Sequence, residues 1–413
     1  MFITLFLIFY NIEGRTKWTT GTYIPKIKTL RLLTNNDFSA PPVISLQSGQ
    51  QINISFDELG DEPNWISYRI IHCDADWQPS RISELDYLDG FNQVSVTESH
   101  PSFNTFVSYY HYSVSIPNEN INLRLSGNYA VLFYYDENPD QIIASACFSV
   151  TEMLTDIQGS ILTNTDLGFN GEYQQVEVRL SWKNNFDGNP AQDLKVVVSQ
   201  NNRIDNEVTV SHPTRFSGNT AFYEHTRALI FEAGNNYRRF DISSNKYPGI
   251  GVEQIRFFDP LYHVLLTPAV PRSQQPFFYD RDQNGRFVIR QVGAEENDIE
   301  ADYFMVHFML EDDNPFIEGK LYLEGDFLHH SFNENHKLVY NFEQRRYEIA
   351  MLLKQGHYNY QYLFVPNNTS KGTPALIEGN FYETENEYLI KVYFRPPGQR
   401  YDRLIGSALI KTN

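Results

Sequence analysis

The densest set of side chains able to do chemistry lies in residues 70–77 (IIHCDADW), which carry His72, Cys73, Asp74 and Asp76. Imidazole and thiolate are zinc ligands, and carboxylates favour harder cations, so a metal is the first chemistry to consider. On a strand, His72, Asp74 and Asp76 share one face and Cys73 points to the other. That alternation also keeps His72 from activating Cys73 as a nucleophile, and no third orienting group is evident. The residue types fit better with a strand ending at His72 and Cys73. A turn then follows, in which the aspartates cap backbone N–H groups. Residues 280–285 (DRDQNG) match the opening of a calcium loop, with Asp280, Asp282, Asn284 and Gly285 at its first, third, fifth and sixth positions. The twelfth position is Gln291 rather than the required glutamate, and the Asn-Gly pair reads more simply as a turn before a strand over 286–290. His329 and His330 read as exposed loop neighbours. Glu311, Asp312 and Asp313 read as a solvated turn, and no two carboxylates are singled out as a hydrolytic pair. The sequence holds no G-x-S-x-G elbow, P-loop, G-x-G-x-x-G or H-E-x-x-H motif. No catalytic residue, cofactor or metal is expected.

The elements that position these residues are strands. Alternation of polar and apolar residues recurs over 51–56, 106–116, 175–182, 237–242, 286–290 and 388–394. These segments are rich in Val, Ile, Tyr and Phe, which suit a half-buried pleated surface. Turn clusters at 187–190, 217–219, 284–285 and 324–326 separate them at sandwich-like intervals. Residues 224–232 read as a short helix or a strand. The expected class is all-β, with tandem immunoglobulin-like β-sandwich domains.

The chain has 413 residues, more than a single core usually supports. Its division is expected at 1–24 (an incomplete export signal), 25–152, 153–299 and 300–413. The acidic stretch 293–300 serves as the second linker. The run MFITLFLIFY at residues 1–10 has the length of a signal-peptide apolar region but lacks a basic start. A net charge of −18 argues against binding nucleic acid or an anionic membrane surface. Two cysteines cannot build a disulfide framework, and whether Cys73 and Cys147 pair is open. In the last unit, residues 320–327, 346–353 and 356–364 follow an order similar to early-set and glycogen-binding-module sandwiches. Tyr358, Tyr360 and Tyr362 therefore either line a sandwich face or stack on a sugar. A periplasmic or surface carbohydrate-binding protein is the alternative function.

Several segments together resemble the plug protein family of the Bacteroidota type IX secretion system. They are 27–30, 42–49, 70–80 and 84–91, continued by 102–105, 109–112, 125–129 and 300–303. The resemblance spans residues 25 to about 410 and is most specific over 70–91. It implies a non-enzymatic periplasmic protein associated with the outer membrane. Such a protein binds the mouth of the large β-barrel translocon and blocks its pore when no substrate is in transit. Within that segment, whose loops are long and aromatic, the candidate partner-binding residues are His72, Asp74, Asp76, Trp77, Tyr87 and Phe91.

Overall fold

A computed structural model of the chain describes residues 17–168, 171–183 and 188–412. The apolar run 1–10, and Asp187 of the expected turn at 187–190, lie outside the described residues. The chain is all-β, with 49% strand and 5% helix. Among the described residues, no helix is long and apolar enough to cross a membrane.

Three two-sheet sandwiches account for the cores. In the first, the strands Asn138–Thr151, Gly127–Tyr135 and Ile66–Cys73 form the middle of one sheet. Ile27–Thr34, Ile52–Leu59 and Tyr109–Ile116 lead the other. Between them lie Ile54, Phe56, Tyr112, Val131, Phe133 and Phe148, all essentially buried. Each such side chain contributes roughly 1.5–3 kcal/mol by leaving water. The short strand Gly21–Thr22 pairs with Ala144 and Ser145, so these residues of the expected leader segment belong to the first sandwich.

The other two sandwiches are not contiguous in sequence. Leu194–Gln200 pairs antiparallel with Glu387–Phe394, which in turn pairs with Arg403–Lys411. This sheet faces Thr155–Leu162 and Tyr173–Trp182 across a core of Val176, Leu180, Val196, Tyr388, Ile390 and Ile405. The third core runs from Phe240 to Ile377 and joins Gly356–Pro366 to the five-stranded sheet that contains Tyr303–Glu311 and Arg346–Lys354. The expected boundary at residues 299 and 300 therefore falls inside the third core, and the last two strands complete the second. The physical reason is that a strand's partner is set by matching faces and not by nearness in sequence. Nor is 293–300 a loose linker. It holds the helix Asn297–Glu300, whose Asp298 pairs with Arg31 of the first sandwich at 2.5 Å.

Each pair of sandwiches is joined by buried charge. Between the first and third, Lys354 Nζ donates to Asp57 Oδ2 at 2.5 Å and Tyr303 donates to the same oxygen at 2.7 Å. Asp302 accepts from the N–H groups of Phe106 and Val107. Between the second and third, Arg286 pairs with Glu387 at 2.5 Å and Arg203 donates to the Gly372 carbonyl at 2.8 Å. The first and second meet at the loop described below. A buried ion needs its partner and its remaining hydrogen bonds to offset desolvation, so these contacts fix geometry as much as they add stability.

Of the histidine pair expected in an exposed loop, His330 is buried and His329 half-buried. His330 lies between Glu324 and Asp326, contacting both. Burial opposes its charge, but the two carboxylates outweigh that and raise its pKa to about 10. Its neighbour His329 is pushed down to about 4 by burial and by the charge on His330.

Cys73 and Cys147 are both buried free thiols. They flank the strand Gly127–Tyr135 on its two sides, opposite Asn128 and Ala130. Two strand spacings separate them, about 9.5 Å, whereas a disulfide spans less than ~7 Å between Cα atoms. Burial pushes the Cys147 thiol up to about 12, and burial with nearby negative charge raises Cys73 as well. The native protein is therefore expected to resist a thiol reagent such as dithionitrobenzoate, and both cysteines to react after denaturation. Prompt release of thionitrobenzoate from the native chain would contradict this.

Candidate partner-binding site

The segment 70–91 is built around His72, the residue before the last in the strand Ile66–Cys73. Its Nε2 donates to the Ser126 carbonyl at 3.0 Å, and its Nδ1 lies 2.8 Å from Ser80 Oγ. Burial pushes its pKa down to about 4, so the ring is neutral and Nδ1 accepts from the serine. Tyr129, Tyr401 and Tyr87 pack around the ring at centroid distances of 5.0, 5.2 and 5.6 Å. Gly127 has φ +138°, and a Cβ there would stand 2.5 Å from His72 Nε2. Glycine is required at that position by conformation and by space.

Asp74 to Gln78 form the expected turn. Trp77 N–H donates to the Asp74 carbonyl and Gln78 N–H to Asp76 Oδ1. Trp77 adopts the left-handed conformation at φ +65°, with its ring face 5.1 Å from Lys391 Nζ. The turn inserts between the sandwiches. Ala75 N–H donates to Asp402 Oδ2 at 3.0 Å, and Asp402 N–H returns a bond to Asp74 Oδ1 at 3.2 Å. Arg395 pairs with Asp74 at 2.5 Å, and Lys195 with Asp402 at 3.1 Å. Asn128 donates to the Asp74 carbonyl and accepts from the Tyr393 hydroxyl. Farther along, Arg403 pairs with Glu152 at 2.6 Å.

The six residues singled out from the sequence therefore divide. His72, Asp74 and Tyr87 are buried; Tyr87 donates its hydroxyl to the Ile70 carbonyl. Trp77 is half-buried and Asp76 exposed, while Phe91 is 84% exposed beyond the short helix Glu84–Tyr87. Only the last three can touch a second molecule, and the buried three fix the loop that presents them. Leu85, 78% exposed on that helix, is a further apolar side chain the sequence reading passed over. Its place in a four-residue helix gave no period to detect.

Elsewhere the expected motifs serve the fold. Asp282 accepts from the N–H groups of Tyr237 and Asn284, and Asp280 pairs with Arg239 at 2.6 Å. Burial raises Asp282 to about 6, the opposite of what a cation site needs. Tyr358, Tyr360 and Tyr362 are all buried and present no ring to a sugar. Among the described residues, no group of three or more His, Cys, Asp or Glu could hold a metal ion.

Residues 27–152 match the family model for the first domain of the type 9 secretion system plug protein. Residues 27–152 are thus a first domain of the type IX secretion system plug protein family. The matched span is that of the first sandwich, and it includes the His72 hub and the whole loop up to Phe91. The plug family to which that domain belongs implies association with a component of the secretion system. A crystal structure of a hypothetical protein from Parabacteroides merdae shares 43% identity with this chain, covering 96% of it and 100% of the other, with a TM-score of 0.94. The architecture of all three sandwiches is thus shared with that protein. No curated protein matches the chain.

Proposed function

We propose that this plug-family chain is a non-enzymatic periplasmic protein that binds the mouth of the large outer-membrane β-barrel translocon and seals its pore between substrates. The observation that carries this reading is the set of three buried ionic junctions, Asp57–Lys354, Asp74–Arg395 and Arg286–Glu387. They tie three sandwiches into one body able to cover a wide opening without hinging. The net charge of −18 keeps such a body soluble when it is released.

Asp76, Trp77 and Phe91 are the residues of the 70–91 segment that face the translocon, with Phe91 as the apolar anchor. An affinity-tagged chain recovered from its native envelope in mild detergent is expected to bring the barrel with it in near-equal amount, as read by mass spectrometry. Deletion is expected to make the outer membrane permeable to a large antibiotic. Phe91→Asp is expected to fold normally and to lower barrel recovery roughly tenfold, the effect of losing one anchor. A tagged chain that comes out alone, with an intact permeability barrier in the deletion strain, would overturn the reading.

A further inference from the structure

The five-stranded sheet of the third sandwich turns one face to the core and leaves the other bare. The bare face holds an open concavity of about 890 Å³, within the range of small-ligand sites. Its floor is low because Ala350 stands directly opposite His307 in the strand register. His307 Nε2 lies 2.9 Å from His263 Nδ1, with ring centroids 5.2 Å apart, so the two imidazoles share a hydrogen bond end to end. The Phe258 ring stands edge-on to His263 and is 55% exposed.

The far wall is a fixed polar array. Arg346 donates to Glu348 at 2.5 Å and Asn341 donates to the other oxygen of that carboxylate at 3.2 Å. Gln254 and Gln344 add side-chain amides at the rim. Arg256 also lines the concavity, is exposed, and makes no ion pair among the described residues. Glu348 is the only carboxylate in the lining and is already neutralised by Arg346. In a chain of net charge −18, the lining thus carries a net positive charge, that of Arg256.

We propose that this concavity binds an anionic oligosaccharide. Amide and guanidinium groups match vicinal hydroxyls, the half-exposed Phe258 ring offers an apolar surface to a sugar ring, and the unpaired Arg256 receives a carboxylate of the sugar acid. The inference is independent of the pore-sealing reading.

The test is isothermal titration of the full chain with tetra- to hexagalacturonate, with maltohexaose and hexaglutamate as comparisons. Saturable binding of the oligogalacturonate alone is expected. Arg256→Gln is expected to weaken it roughly tenfold through loss of one charge-assisted contact. Ala350→Phe, which fills the floor from the solvent side, is expected to abolish it. Circular dichroism and thermal unfolding confirm that both variants fold. The proposal is overturned if no oligogalacturonate binds at millimolar concentration, or if binding survives either substitution. Equal binding of maltohexaose removes the anionic requirement and also overturns it. Equal binding of hexaglutamate does the same by assigning the face to acidic peptides.

Discussion

Replacing Lys354 with Met destabilises the junction of the first and third sandwiches by about 3–5 kcal/mol, the cost of leaving a buried carboxylate without its cation. Lys354 and Asp57 are both essentially inaccessible, and their charged atoms are 2.5 Å apart. Burial alone would raise the Asp57 carboxyl, but the facing Lys354 and His111 reverse that and hold it below the ordinary value. In Lys354→Met, Asp57 keeps only His111 at 2.6 Å and the Tyr303 hydroxyl. Urea unfolding gives the loss. Hydrogen exchange places it, because protection should fall first in Ile27–Thr34 and Tyr303–Glu311, the strands on either side. The double variant Asp57→Leu, Lys354→Met should recover most of the stability, since no charge is then stranded. A single variant within 1 kcal/mol of the parent (~1 being the ordinary effect of a substitution) would show that the pair does not hold the junction.

The second large effect is on the alkaline side. His330 binds its proton more tightly folded, at a pKa of about 10, than at its ordinary 6.5. Its stabilisation is therefore complete below pH 6.5 and is lost as pH rises through about 10. The amount is on the order of 5 kcal/mol. The protein should lose stability steadily between pH 7 and 10, and His330→Gln should be less stable at pH 7 but nearly flat over that window. Urea midpoints at four or five pH values decide it. Parallel slopes for parent and variant would mean that His330 is not the cation that Glu324 and Asp326 enclose.

How far the sequence revealed this molecule depends on the range of the interactions. Alternation over 51–56 and 175–182 marks Ile52–Leu59 and Tyr173–Trp182 because a strand writes its two faces into adjacent residues. The turn after Cys73 was legible for the same reason, since Asp and Trp at 74–77 satisfy one another locally. The pairing of Leu194–Gln200 with Glu387–Phe394 was not, because both strands are apolar enough for any neighbour. Nothing in the sequence marks Lys354 and Asp57 as buried, because their burial is set by a contact between residues 297 positions apart. His72 and Asp74 stood out by type. What type could not tell is that they face Tyr401, Arg395 and Asp402, near the far end of the chain.

The discontinuous second sandwich has a consequence for how the protein matures. Its sheet needs Arg403–Lys411, and the His72 hub needs Tyr401 and Asp402. A nascent chain can finish the first and third cores while it is still being made. It can neither close the second nor clamp the first against it until Arg403–Lys411 has emerged. A prematurely terminated copy would carry two finished sandwiches and an open apolar sheet, a form that proteases recognise. Quality control is thereby wired into the order of the strands, so that only copies carrying Arg403–Lys411 reach a closed shape.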